Sequence, residues 1–224
     1  MTSHAIVTGA AGILGQAVTR TLRAAGYVVT GIDRAPDAGA SDGGSYRGDV
    51  DLTDPHAARA AIEAAVAENG PAAALVNVAG TFRWETVGDG DVATWSLLFD
   101  VNLRTAVNAV RAALPSLRDG GGAIVNIGAA GAIKAAAGMG AYAASKAGVA
   151  KLTEALAEEE KDRGVRVNAV LPSIIDTPAN RTDMADADFS RWVTPDAVAS
   201  VVAFLLSDGA SAVTGACVPV TGRC

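Results

Sequence analysis

Tyr142 and Lys146 stand four residues apart in the stretch "YAASK", and on a helix that spacing puts both side chains on one face. A lysine ammonium beside a phenol favours the phenolate and draws the tyrosine pKa down from about 10. Such a pair can give a proton to a substrate oxygen, or take one from it, while hydride moves at the adjoining carbon. Tyr27 and Tyr46 have no lysine four residues later. Upstream of the pair, "NIGAAGAIKAAAGMGA" carries no hydroxyl side chain between Asn126 and Tyr142.

A second constellation lies near the start of the chain. In "TGAAGILG" the glycines Gly9, Gly12 and Gly15, with Ile13 and Leu14 between them, join a strand-like run to a helix-like one. Glycine lets the backbone bend with positive φ and approach a pyrophosphate, and a helix N-terminus adds amide donors and partial positive charge. Asp33 follows the next β-branched run, 18 residues beyond Gly15. A carboxylate there can accept from both hydroxyls of an adenosine ribose and repels a 2′-phosphate, which favours NAD(H). Arg34, next to it, could pair with a 2′-phosphate and keeps NADP(H) as the alternative. In "GDV" at 48–50, Asp49 and the Val50 amide could hold the adenine edge.

The elements that must position these groups alternate along the whole chain. Strand patterns are "HAIVT" from residue 4, "YVVTGID" from 27, "YRGDV" from 46, "AALVNVAG" from 73, "GAIVNIG" from 122, "VRVNAVLP" from 165 and "ACVPV" from 216. Helical patterns fill 15–26, 55–69, 92–117, 142–163 and 195–207. Asp54 as N-cap, Pro55 at the first helical position and Gly70 past the end mark the second of these. This alternation predicts an α/β fold: a doubly wound, mostly parallel, Rossmann-type sheet with helices on both faces, in a single domain over 1–224. A polar, irregular insertion at 176–194 falls at a strand's carboxyl end, where ligands bind in such sheets. There Arg181, Met184, Phe189 and Trp192 either line a substrate pocket or anchor a lid. "EEEKDRG" at 158–164 reads as a solvated helix end.

Composition narrows the function. A net charge of −6 offers no basic patch for nucleic acid. Cys217 and Cys224 lack the spacing of a disulfide framework or a zinc site, and His4 and His56 lack a second ligand at metal-binding spacing. No charged leader and no run of about 20 apolar residues is visible, so the expectation is a soluble, cytoplasmic protein with no membrane span.

Taken in order, "TGAAGILG", "GDV", "NVAG" at 77–80, "VNL" at 101–103, "YAASK" and "LPSIIDTP" at 171–178 resemble the short-chain dehydrogenase/reductase family over essentially the full length. The resemblance implies that Asn77, Ala79 and Gly80 support the cofactor platform and that Asn102 holds a water of a proton relay. It implies Tyr142 as acid–base, Lys146 on the nicotinamide ribose, Thr177 on the carboxamide, and Pro172 and Ile175 beside it. A homodimer or homotetramer, built through the helices at 92–117 and 142–163, and a small-molecule substrate are implied in the same way.

Two departures stand out. The family's glycines are usually separated by three residues and then one, whereas here both gaps are two. The family usually places a serine thirteen residues before the tyrosine, and that position is Ala129. The dihydropteridine reductase branch is similar in this alanine, in "GAAGILG" and in the pieces "DTP", "NR", "ADFS" and "W" before "TP". That branch reduces an activated, conjugated ring with NADH. Asn102 fits the wider family better, and Phe82 and Trp84 stand where the branch places a tryptophan. Substrate-side candidates are therefore Ala129, Phe82 and Trp192. Three readings stay open: a reductase of planar conjugated acceptors such as a pterin, a general carbonyl reductase or alcohol dehydrogenase, and a non-catalytic dinucleotide-sensing protein.

Overall fold

The computed structural model describes residues 3–36 and 44–224. The strands are β1 (His4–Thr8), β2 (Val28–Ile32), β3 (Gly44–Arg47), β4 (Ala72–Asn77), β5 (Gly122–Ile127), β6 (Val165–Pro172) and β7 (Cys217–Val220). All pair in parallel, in the order β3-β2-β1-β4-β5-β6-β7. The direction of winding reverses between β1 and β4, so a crevice opens above their carboxyl ends. The expected doubly wound α/β sheet is what forms.

The helices are α1 (Ile13–Ala24), α2 (Pro55–Asn69), α3 (Val92–Phe99), α4 (Thr105–Arg118), α5 (Gly140–Glu160), α6 (Pro178–Asp183) and α7 (Pro195–Leu206). Local chemistry sets their starts. Asp54 accepts from the His56 amide at 2.9 Å ahead of Pro55, and Thr194 accepts from the Ala197 amide at 3.2 Å ahead of Pro195. One apolar layer joins Val18 and Leu22 of α1 to Val202 and Leu205 of α7. The other joins Ile62 of α2 to Leu117 of α4 and Leu156 of α5. With the sheet's central strands buried on both faces, the β-branched runs need no polar alternation.

Several boundaries differ from expectation. The helical stretch at 92–117 is interrupted by a wider π-turn over Asp100–Arg104, with Asn102 inside it. Such turns cluster at functional sites because they redirect backbone groups. The third strand is Gly44–Arg47 rather than 46–50, because Asp49 takes a φ of +56° and leaves the ladder. The stretch at 176–194 is less irregular than its composition suggests. It contains α6, a short turn over Phe189–Arg191, and a bridge of Ile175 to Val193. Glu160 is not part of a solvated helix end: it is 1% exposed and takes a two-pronged ion pair from Arg118, with Nε at 2.8 Å. That carboxylate fastens the end of α5 to the end of α4.

Candidate active site

A cleft of about 770 Å³ lies above the switch point and reaches from the glycine turn to Tyr142 and Lys146. Two glycines of the turn are dictated by space. Gly9 has φ +64°, and a Cβ on it would lie 2.7 Å from the Ala79 amide nitrogen. A Cβ on Gly15 would lie 2.0 Å from the Gly9 carbonyl oxygen, so α1 could not approach β1. Gly12 has an ordinary φ of −69° and serves as N-cap without a side-chain cap. The first turn of α1 is therefore uncapped, and Ile13 and Leu14 line the cleft beside it.

Asp33 is already structured. Its Oδ2 accepts from the Ala11 amide and its Oδ1 from the Ala35 amide, both at 2.9 Å. The carboxylate thus joins β2 to the glycine turn, and each oxygen keeps lone pairs for a ligand hydroxyl. Arg34 lines the same end of the cleft and is exposed.

The expectation for "GDV" needs correcting. The Val50 amide donates to the Asp33 carbonyl at 3.0 Å, and the Asp49 amide to the Ala35 carbonyl at 3.3 Å. Neither is free for a base, and Asp49 does not line the cleft. The wall there is Val50, Asp51, Leu52 and Thr53. Asn108 of α4 is buried and donates to the carbonyls of Leu52 and Thr53 at 2.9 and 3.1 Å, which holds that wall in place. Sequence reading missed Asp51, Thr53 and Asn108. The Asp-x-Thr turn, in which Asp51 accepts from Thr53, was the available signal.

At the other end, α5 brings Tyr142 and Lys146 to one wall of the cleft. Lys146 is 4% exposed, and its Nζ donates to the Ile127 carbonyl at 2.7 Å, its one acceptor among the described residues. Burial holds its pKa down at about 8. Tyr142 behaves opposite to expectation: burial pushes its pKa up to about 12. The lysine does not offset this because its ammonium is turned to the Ile127 carbonyl. Phe82 covers the tyrosine, ring edge to ring face, with centroids 4.9 Å apart.

Asn102 is 1% exposed and does not line the cleft. Its Oδ1 accepts from the Thr81 amide at 2.7 Å and its Nδ2 donates to Ser145 Oγ at 3.0 Å. Ser145 in turn donates to the Tyr142 carbonyl at 2.8 Å. The asparagine side chain therefore ties the segment after β4 to α5, between the tyrosine and the lysine. Gly80 sits against this junction: a Cβ there would lie 2.9 Å from Asn102 Oδ1 and 3.2 Å from Lys146 Nζ. Asn77 donates to Asn126 Oδ1 at 2.9 Å beneath the cleft, while its own Oδ1 is buried without a partner. Ala79 lines the cleft, as does Gly128, whereas Ala129 is 5% exposed and lies behind the surface.

On the substrate side, Pro172, Ile175 and Thr177 line the cleft, and Thr177 Oγ1 caps α6 through the Asn180 amide at 3.2 Å. Trp192 does not line it. Its indole is 8% exposed and packs on Phe189 at 4.7 Å, and Arg181 lies over Phe189 while pairing with Asp176. The apolar core under the segment claims the tryptophan, so of the two alternatives for it the anchor is the one found. Among the described residues no group of three His, Cys, Asp or Glu is placed to hold a metal ion, and no helix is long and apolar enough to cross a membrane.

A parallel sheet with a glycine turn at its switch point, opening on a half-buried tyrosine beside a buried lysine, defines a nucleotide-cleft protein of the dehydrogenase type. One family, described as enoyl-(acyl carrier protein) reductase, matches residues 9–222. Acetoacetyl-CoA reductase of Acinetobacter is 34% identical over 97% of this chain and 96% of its own. The ligand-free aldohexose dehydrogenase of Thermoplasma acidophilum superposes with a TM-score of 0.91, at 30% identity over 99% of this chain and 93% of that one. The 3-ketoacyl-(acyl-carrier-protein) reductase of Brucella melitensis, solved with NADH, gives 0.89 at 25% identity over 99% and 98%. The chain belongs to the short-chain dehydrogenase/reductase family and is an oxidoreductase of that family.

Proposed function

We propose that this protein transfers hydride between NAD(H) and a carbonyl or conjugated acceptor, with Tyr142 as the proton donor and Lys146 as its partner. The observation that carries this reading is that the tyrosine and lysine share one cleft with the glycine turn. The cleft volume of about 770 Å³ falls within the range of ligand sites, about 300–1,000 Å³. The residues fit a dinucleotide. Gly9 and Gly15 leave the backbone bare, the first turn of α1 is uncapped, and Asp33 presents a fixed carboxylate. When bound, the nicotinamide supplies or accepts the hydride.

The chain's own residues then divide the remaining work. Lys146 has donors left over after its bond to the Ile127 carbonyl, and Gly80 leaves the space in front of it open for ribose hydroxyls. Tyr142 keeps its proton at neutral pH, which suits it to donate O–H to the substrate oxygen in the reductive direction. The phenolate left behind is stabilised by the Lys146 ammonium once that is drawn towards the cleft. Asn102, through Ser145, fixes the height of α5. Asp33, with both oxygens fixed, favours a ribose diol over a 2′-phosphate, although Arg34 beside it leaves NADP(H) as the lesser cofactor.

Ala129 bears on the substrate. Without a serine there, a simple ketone loses a donor of the kind worth about 2.7–4 kcal/mol. A ring already activated by conjugation needs less polarisation, and a quinonoid dihydropterin is one such acceptor. A second reading, reduction of an aliphatic keto group, is favoured by the names of the relatives, which act on acetoacetyl and 3-ketoacyl groups. Retention of Tyr142 and Lys146 in one cleft speaks against a purely dinucleotide-sensing protein. Exposed Val92 and Phe99 on α3 and Phe204 on α7 support assembly as a homodimer or homotetramer.

The test is steady-state oxidation of NADH and NADPH with a quinonoid dihydropterin, an o-quinone and a β-keto ester. Turnover with NADH, fastest on the conjugated acceptors, is expected. Failure to oxidise either cofactor with any acceptor would end the proposal.

A further inference from the structure

Phe82 lies on a strap that is fastened on both sides. Before it, the Thr81 amide donates to Asn102 Oδ1 at 2.7 Å. After it, the Trp84 indole lies against Gly138 so closely that a Cβ there would be 2.1 Å from Trp84 Cε2. The Glu85 amide then donates to the Gly138 carbonyl at 2.8 Å. The residue between these fastenings cannot wander. Its ring stands at 85° to that of Tyr142, lines the cleft, and is still 49% exposed. Part of the ring is therefore available to a ligand at the proton donor itself.

The surroundings are apolar. Of eight exposed large hydrophobic side chains among the described residues, four are Phe82, Trp84, Val87 and Ile133. They belong to the strap and to the segment before α5, which Trp84 and Gly138 pin together. Of these four, Phe82 is the one that lines the cleft. No hydroxyl side chain between Asn126 and Tyr142 is available to orient a substrate by hydrogen bonding. Shape and the Phe82 ring then share the orientation of a substrate with the cleft hydroxyls of Thr81, Ser173 and Thr177.

From this we infer that Phe82 is the specificity-determining residue of the cleft, a preorganised aromatic surface that selects planar, conjugated acceptors over aliphatic keto compounds. The inference rests on the oxidoreductase reading above and says which acceptors it serves. A planar acceptor gains ring–ring contact with Phe82 that an aliphatic ketone, lacking a π-face, does not. Trp84 is a positioning residue: it holds the strap down without touching the acceptor.

The experiment compares the full chain with Phe82→Leu, Phe82→Ala and Trp84→Ala, using NADH with 9,10-phenanthrenequinone and with ethyl acetoacetate. The quantity read is the ratio of kcat/KM for the quinone to that for the keto ester. Phe82→Leu keeps apolar bulk and removes the ring, so the ratio should fall by about 2–12-fold, mainly through KM of the quinone. Phe82→Ala should lower it further, and Trp84→Ala should lower it in the same sense with Phe82 intact. Equal losses on both acceptors, or an unchanged ratio, overturn the assignment while leaving the oxidoreductase reading intact. No wild-type turnover of the quinone with NADH overturns this assignment, and failure of every acceptor with both cofactors overturns the oxidoreductase reading as well.

Discussion

Substituting Gly80 by alanine strikes the junction that positions Tyr142, the proposed proton donor. The added methyl would lie 2.9 Å from Asn102 Oδ1 and 3.2 Å from Lys146 Nζ, against an ordinary contact of 3.4–4 Å. Asn102 must retreat by about 0.5 Å, yet it is held by the Thr81 amide at 2.7 Å and by Ser145 at 3.0 Å. The displacement therefore passes to Ser145, which is bonded to the Tyr142 carbonyl, and so to α5. A misplacement of about 1 Å at reacting groups costs on the order of 10²-fold in rate, so half of that should lower kcat about tenfold. One weakened hydrogen bond costs only about 0.5–1.5 kcal/mol of stability, a fall in Tm of a few degrees for a chain of this size. The assay is kcat for NADH-dependent reduction beside a thermal melt of the same preparation. A kcat within twofold of the wild type would refute the claim that this junction sets the catalytic geometry.

Other outcomes follow from charge and burial. Lys146 loses its charge near pH 8 in the free enzyme while Tyr142 keeps its proton to about pH 12. The reductive kcat/KM should hence be level near neutrality and fall above about pH 8; a profile flat to pH 10 would exclude a role for the ammonium. Asp33→Ala removes the acceptor of the Ala11 and Ala35 amides. KM for NADH should rise several-fold and the NADH preference over NADPH should shrink, and an unaltered preference speaks against the ribose contact. His4 is buried between the Gly70 carbonyl and Thr30, and burial lowers its pKa below 6.5. Its contribution to stability is full above the unfolded value of about 6.5 and is lost as pH falls towards the folded value. In His4→Gln the decline of Tm between pH 7 and pH 5 should be shallower; an identical slope would assign the acid sensitivity elsewhere.

The sheet and its winding were legible because β-branched runs and capped helices alternate without interruption, as at Asp54–Pro55 and Thr194–Pro195. That Gly9, Gly15, Tyr142 and Lys146 meet at one cleft was legible as well, since each belongs to a local pattern. What escaped depends on distant neighbours. The Val50 amide is spent on Asp33, seventeen positions away, and Asn108 reaches the Leu52 carbonyl from another helix. Trp192 looked like a pocket residue by type, yet the core beneath its segment buries it. Tyr142 was expected to be acidified, because the spacing to Lys146 says nothing of the Ile127 carbonyl that holds the ammonium. Glu160 looked solvated in a charged run, and only the fold shows Arg118 beside it.

The central claim is that Tyr142 protonates the acceptor as hydride leaves NADH. Its most direct test is single-turnover oxidation of bound NADH by a conjugated acceptor, wild type against Tyr142→Phe, with NADH affinity titrated separately. Loss of a general acid should slow the reaction about 10²–10⁴-fold while the affinity for NADH is kept. A Tyr142→Phe variant that turns over at the wild-type rate would contradict the account.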